Sequence, residues 1–323
     1  MRTITLEEHF ASEAFLAGPG RKLKQQAERM GGRAAKLFEQ LCELGEKRIA
    51  EMDAAGIDVQ ALSLTSPGTE QLDAAEAMEL ARESNDRLAQ DVRSYPTRLA
   101  GFATLATADP RFAADELGRM VLEHGFKGAV INGHHRGRYL DETFFWPILE
   151  RAQQLQVPIY LHPTQPPKPV IDASYGGFAP MVSEMLAGPG WGWHIETAVH
   201  MLRIVLGGVF DKYPRLQFVI GHMGEALPFM LSRLDVMPMA MTNLARPISA
   251  YLRENVHYTF AGFNFTPTFL DLLLQVGVDR IMFSADHPYG SMSEARAFLD
   301  RLPVSPADRE KIAHGNAERL LRM

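Results

Sequence analysis

Cysteine is almost missing from this chain: of 323 residues, only Cys42 carries a thiol. No intrachain disulfide can form, and no zinc site built from cysteine thiolates exists. No apolar run reaches the roughly 18 residues that a membrane-spanning helix needs. The opening residues, MRTITLEEHF, lack the apolar stretch of a secretory leader. A cytoplasmic location without membrane attachment is therefore the expectation. Long basic tracts are missing too. The formal net charge is −6 with histidine neutral, which leaves no electrostatic footprint for nucleic acid. Neither GxGxxG nor GxxxxGK[ST] occurs, so nothing marks a glycine-rich phosphate loop. No repeat, low-complexity tract or linker divides the chain, which reads as a single domain over 1–323.

What is there is a globular composition. Hydrophobic residues make up 46% and charged residues 22%, close to soluble averages, and the length suffices to bury a large core without staples. Short β-branched runs at 2–7, 59–64, 99–105, 128–132, 158–161, 217–221, 257–261 and 280–284 read as strands. Amphipathic stretches at 73–94, 111–124, 143–155, 195–210 and 267–276 read as helices, with a closing helix over 306–321. This alternation predicts βαβ units and a parallel sheet. Several strands are continuous apolar runs, as expected when both faces are covered.

Eight such units fit an α/β fold of the (β/α)8 TIM-barrel type; a doubly wound open sheet is the alternative. Two stretches break the alternation. Residues 10–45 read as a helical insertion after strand one. Residues 164–193, rich in Gly and Pro and holding Tyr175, Phe178, Trp191 and Trp193, read as a long loop after strand five. Both begin where a strand ends, on the face where barrel enzymes carry their sites.

Four candidate strands end in groups that bind metals or move protons. Strand one ends in Glu7-Glu8-His9; residues two apart on a strand share a face, so Glu7 and His9 point together and Glu8 points away. Strand five ends at His162, strand six at His222 in GHMGE, and strand eight at Asp286 in FSADHP. In a closed barrel these ends converge. One histidine at a strand end is more often a hydrogen-bonded structural group, but four acid–base strand ends are not explained by packing. Two imidazoles with two carboxylates suit Zn2+ or Mn2+ better than Ca2+ or Mg2+, and leave room for water or substrate. His124, His257 and His314 read as surface or packing residues. His134, His135, His194 and His200 fall near loops, where substrate contact is the less favoured role.

These motifs also resemble a known family. LEEHF, IYLHP, GHMGE and FSADHP are similar to the amidohydrolase superfamily, and more narrowly to its metal-dependent aromatic acid decarboxylases: the γ-resorcylate, 5-carboxyvanillate and aminocarboxymuconate-semialdehyde enzymes. The similarity continues through RIAEMDAAGIDVQALSLTSPG, ARESNDRLA, NGHHRGRYLDE and GEALPFMLSRLD. The resemblance implies that Glu7, His9, His162 and Asp286 hold one divalent metal ion. It implies that His222 is an active-site histidine, with Glu225 in the same motif. Arg48 and Arg233 match positions that in some members hold the substrate's carboxylate or ring substituents, one of them reaching in from a neighbouring subunit. Tyr289 matches a tyrosine near substrate. Asn132, at the end of strand four, is a further candidate for substrate contact. A homodimer or homotetramer is implied as well.

The pattern also departs from the family. Many members begin with HxH, where this chain has Glu7. The 5-carboxyvanillate type lacks a histidine at the His9 position, so His9 ranks last of the four ligands. Two-metal members carry a carboxylated lysine at the end of strand four, but here that strand ends at Asn132-Gly133, which argues for one metal.

The expected reaction is non-oxidative decarboxylation of a small hydroxylated aromatic carboxylic acid, with Asp286 as proton donor and His222 setting its protonation. The alternative is hydrolysis of a lactone or amide by metal-bound water. A metal-binding scaffold without activity would leave the accompanying acid–base groups unexplained.

Overall fold

The computed structural model describes residues 1–30 and 32–323. β1 (Ile4–Phe10) leads through three helices, α1 (Glu13–Ala17), α2 (Arg21–Met30) and α3 (Gly32–Cys42), to α4 (Glu46–Ala55) and then β2 (Val59–Leu64). α5 (Ala74–Ser94) precedes a third stave in two pieces, β3 (Leu99–Gly101) and β4 (Ala103–Thr104). α6 (Pro110–His124), β5 (Ala129–Asn132), α7 (Trp146–Leu155) and β6 (Ile159–His162) follow. Then come α8 (Lys168–Ser174), α9 (Pro180–Ala187), α10 (Gly192–Leu206), α11 (Val209–Lys212) and β7 (Phe218–Ile220). α12 (Leu227–Leu234), α13 (Met239–Thr242) and α14 (Ile248–Glu254) lead to β8 (Val256–Thr259), and α15 (Thr266–Val276) to β9 (Ile281–Met282). α16 (Met292–Asp300), α17 (Pro306–Glu310) and α18 (Asn316–Leu321) complete the order.

Every strand pair is parallel, in the order β1-β2-β3 and β4-β5-β6-β7-β8-β9. The two runs are one cylinder. At Phe102 the third stave passes from one neighbour to the other: Phe102 N donates to Leu62 O at 2.9 Å and Ala103 N to Gly128 O at 2.8 Å. All strand residues are buried, which is why the strands read as continuous apolar runs and not as alternating ones. Ile4, Val59, Ala100, Val130 and Val219 fill the interior, with Leu321 of α18 packed against them. Local signals set the helix starts. The Asp73 side chain accepts from Glu76 N, and Ser291 caps α16 through Glu294 N.

The seam between the first and last staves is stitched largely by side chains. His9 N donates to His287 O at 2.7 Å, and Glu7 N donates to Ser284 Oγ at 2.8 Å. The Glu8 carboxylate spans the rest: Ala285 N donates to Oε1 at 2.9 Å and His287 N to Oε2 at 3.1 Å. This substitution of carboxylate for carbonyl explains why β9 is only two residues long, where the sequence suggested 280–284.

Two other expectations need adjusting. β1 runs three residues beyond 2–7, so Glu7 and His9 lie within the stave. The segment 164–193 is no simple loop, because α8 and α9 form inside it, each with proline in its first turn, where a missing N–H costs nothing.

Glu8→Ala leaves two buried amides without acceptors, at roughly 1–3 kcal/mol each. We expect urea denaturation to give an unfolding free energy lower by about 3 kcal/mol. A loss below about 1 kcal/mol would remove Glu8 from this role.

Candidate active site and metal centre

The sequence-predicted groups converge at the C-terminal end of the staves. Glu7, His9 and His162 offer ligand atoms that all lie within 4.8 Å of one another. Asp286 joins them through His9, whose Nε2 is 3.1 Å from Asp286 Oδ1. His162 Nε2 is 3.4 Å from Glu7 Oε1, and His222 Nε2 is 3.8 Å from the same oxygen. As alternation requires, Glu7 and His9 share the inner side, while Glu8 turns to the seam. His9, ranked last from sequence, stands inside the tightest cluster.

Several neighbours hold Glu7 in place. The Tyr160 hydroxyl donates to its Oε2, and Thr259 Oγ1 reaches the same oxygen at 3.3 Å. A Cβ at position 221 would collide with the Glu7 carboxylate, so the glycine that opens GHMGE makes room for it. Glu7 Oε1 is buried and meets no hydrogen-bond donor among the described residues.

A second cluster stands beside the first. Glu225 accepts from His222 Nδ1 at 2.7 Å and from His194 Nδ1 at 2.6 Å, and Phe263 lies against both rings at 5.2 and 5.3 Å. The backbone here is strained. Among the described residues, six of the ten non-glycine residues with positive φ are His222, Met223, Glu225, Ala226, Ala261 and Asp286, with φ between 44° and 66°. Such conformations are costly and gather at functional sites.

Charge follows burial. Desolvation, reinforced by Asp286, pushes Glu7 up to about 7 against the pull of His222 and Tyr160. Desolvation likewise raises Asp286 to about 7, opposed by His222. Burial drives His9 down to about 3 and holds His162 well below the ordinary imidazole value. Burial alone would depress His222, but Glu225 and Glu7 outweigh it and lift it to about 10. Burial would raise Glu225, yet His222 and His194 bring it below the usual carboxylate value.

These donors fit a divalent cation. Neutral imidazoles are the form a metal takes. Two carboxylates that burial makes reluctant to ionise, one with an orphaned oxygen, are compensated by positive charge placed among them.

Other candidates lie elsewhere. Arg48 is fully buried behind β1, where it donates to His9 O at 2.9 Å and Gln60 Oε1 at 2.8 Å, so its guanidinium is not on the cavity wall. Arg233 stands exposed on α12 and lines no part of its own chain's cavity. Asn132 is buried beside Gly68, and its amide does not reach the cavity. Tyr289 does line it; its hydroxyl meets Thr65 Oγ1 at 2.6 Å and its ring lies 5.5 Å from His9. His124 and His314 sit with surface partners, and His257 is buried at the opposite end of the barrel.

Sequence reasoning passed over Tyr160 and Thr259, and rated His194 low. Tyr160 shares parity with His162 two residues on, a signal that alternation offers. His194 begins α10 after a Gly/Pro-rich segment and carries no periodic mark.

In the metal-free protein, Glu225→Gln removes the charge that lifts His222. Burial then dominates, and the imidazole should titrate far below its original value by NMR. A His222 titration that stays high in this variant would show that Glu7 and Asp286 suffice.

The amidohydrolase family model matches residues 33–323. The chain is 38% identical to the gamma-resorcylate decarboxylase of a Polaromonas species, covering 99% of this chain and 98% of that protein. It superposes on the manganese-bound 5-carboxyvanillate decarboxylase of Novosphingobium aromaticivorans with a TM-score of 0.92 at 36% identity, covering 100% of this chain and 97% of that one. The dihydroxybenzoic acid decarboxylase of Polaromonas, holding manganese and the inhibitor 2-nitroresorcinol, gives a TM-score of 0.89 at 37% identity, covering 99% and 97%. Similarity of this extent, on a parallel barrel whose acid–base groups meet at one mouth, settles the lineage: the chain belongs to the amidohydrolase family.

Proposed function

We propose that this chain is a metal-dependent carboxy-lyase that removes the carboxyl group of a hydroxylated aromatic acid without oxidation, with Asp286 as proton donor. One observation carries the reading. Asp286 faces a cavity of about 950 Å3, and its Oδ1 is 3.1 Å from His9 within a nest of metal donors. Leu23, Pro167, Trp193, Phe263 and Tyr289 give that cavity apolar and aromatic walls suited to a planar ring. The full-length relatives with decarboxylase names support the same reaction type.

Glu7, His9, His162 and Asp286 are the residues assigned to hold the ion. Manganese, present in both solved relatives, is the first to test, and zinc is the other ion that the donor set suits. When bound, a divalent ion supplies a Lewis acid and a template, drawing charge from the substrate's carboxylate and ortho phenolic oxygen.

The chain's own groups do the rest. Asp286 gives its proton to the ring carbon that bears the carboxylate. The C–C bond then breaks, its electron pair restores the aromatic ring, and carbon dioxide leaves. Asp286, now ionised, is recharged by His222, which regains a proton from solvent before the next turnover. Glu225 keeps that imidazole oriented and charged as a positioning residue, and His194 fixes Glu225 from its other oxygen. Arg48 acts one step back, holding the His9 carbonyl.

Phe229, Met230 and Val236 stand exposed beside Arg233, which supports the expected homodimer or homotetramer. Sedimentation equilibrium should therefore give a mass above the 36.0 kDa of one chain; a monomer at micromolar concentration would refute it.

The reaction is tested by carbon dioxide release from a panel of hydroxybenzoates, run beside lactones and amides. Asp286→Asn should lower turnover by roughly 10²–10⁴-fold, the usual worth of a positioned acid. His162→Ala should lose the metal, read by elemental analysis. Retained turnover in Asp286→Asn would sink the acid role. Turnover of lactones or amides in place of hydroxybenzoates would sink the decarboxylase reading.

A further inference from the structure

We propose that the opposite mouth of the barrel, at the N-terminal ends of the staves, binds a small multivalent oxyanion. A cavity of about 350 Å3 lies there between the starts of β6, β7, β8 and β9 and the last helix, α18. That volume falls at the small end of ligand sites, roughly 300–1,000 Å3. Four guanidinium groups line it: Arg215, Arg280, Arg319 and Arg322. Among the described residues, none of the four has a carboxylate within ion-pair distance. Asp279, the acidic residue on the wall, is taken by Lys311 at 3.0 Å. This unpaired positive charge sits on a chain whose net charge is −6, so general composition does not account for it.

A second observation points the same way. His257 lines the cavity and is 5% exposed, and its Nδ1 is buried without a hydrogen-bond partner. Arg280 Nη1 lies 3.0 Å from His257 Nε2. Gln217 Oε1, which only accepts, lies 3.2 Å from the same Nε2, so its two neighbours call for opposite tautomers; under either one Nδ1 has no partner among the described residues. The result is a buried, unpartnered imidazole nitrogen among guanidinium groups that have no carboxylate partner. Burial first, and then Arg319, holds Arg280 below the ordinary guanidinium value, as excess positive charge requires. Phosphate and small polycarboxylates share the oxygen geometry that guanidinium forks bind. An occupant would link α18 to the bases of the staves.

The test is calorimetric titration of the metal-loaded whole protein with inorganic phosphate and, separately, with succinate, at ionic strength fixed with sodium chloride. We expect saturable binding of at least one, and a thermal midpoint that rises with it by mass action. Phosphate alone or succinate alone identifies the source. The paired Arg215→Ala/Arg322→Ala variant alters exposed side chains only. It should bind roughly tenfold or more weakly, the worth of a charged hydrogen bond, while hydroxybenzoate turnover stays unchanged. Arg280→Gln should weaken binding likewise. No saturable heat with either anion overturns the proposal, as does equal binding by the wild type and the paired variant.

Discussion

The Glu8 carboxylate is the interaction on which the rest of this structure leans. A parallel barrel closes only if its first and last staves pair, and here the last stave has two regular residues. Glu8 completes the pairing by accepting the amides of Ala285 and His287, one on each oxygen. Its neighbours Glu7 and His9 face inward, and the residue between its two amide partners is Asp286. One side chain thus fixes the spacing between donors from opposite ends of the sequence. Arg48 and Gln60 back it from behind, with Gln60 Nε2 at 3.3 Å from Glu8 Oε2, so the clamp is itself held.

Around that clamp the site divides its charges between two neighbouring groups. Glu7, His9 and His162 are buried and Asp286 is half-buried, in forms that cost free energy without a cation. His222, Glu225 and His194 satisfy one another, with protons and carboxylate oxygens matched. The first group is built to receive charge from outside the chain, and the second is complete without it. The two groups are adjacent, and positive φ values crowd this mouth, so the backbone that carries them is bent and strained.

Much of this was legible from sequence, for identifiable reasons. Eight buried β-branched runs announced the staves because parallel strands are apolar on both faces. Alternation placed Glu7 with His9 and turned Glu8 away. Stave lengths were less legible, because Glu8 and Ser284 replace backbone partners and no local pattern records a contact across 277 positions. The same limit hid the pairing of His194 with Glu225, which depends on where α10 lands. Arg48 shows the converse: its motif marks the residue, but only packing reveals that it points behind the stave and not into the cavity.

The seam also sets an order in time. Glu7 and His9 belong to the first stave, and Asp286 and the amides that clamp Glu8 belong to the last. During synthesis the opening residues emerge long before their partners exist. Long loop closures come late and slowly. Asp286 joins Glu7, His9 and His162 only after nearly the whole chain has been made, so a ribosome-bound or truncated chain lacking the last stave holds three of the four groups and no clamp for Glu8. Assembly of the full cluster is thereby tied to completion of the last stave.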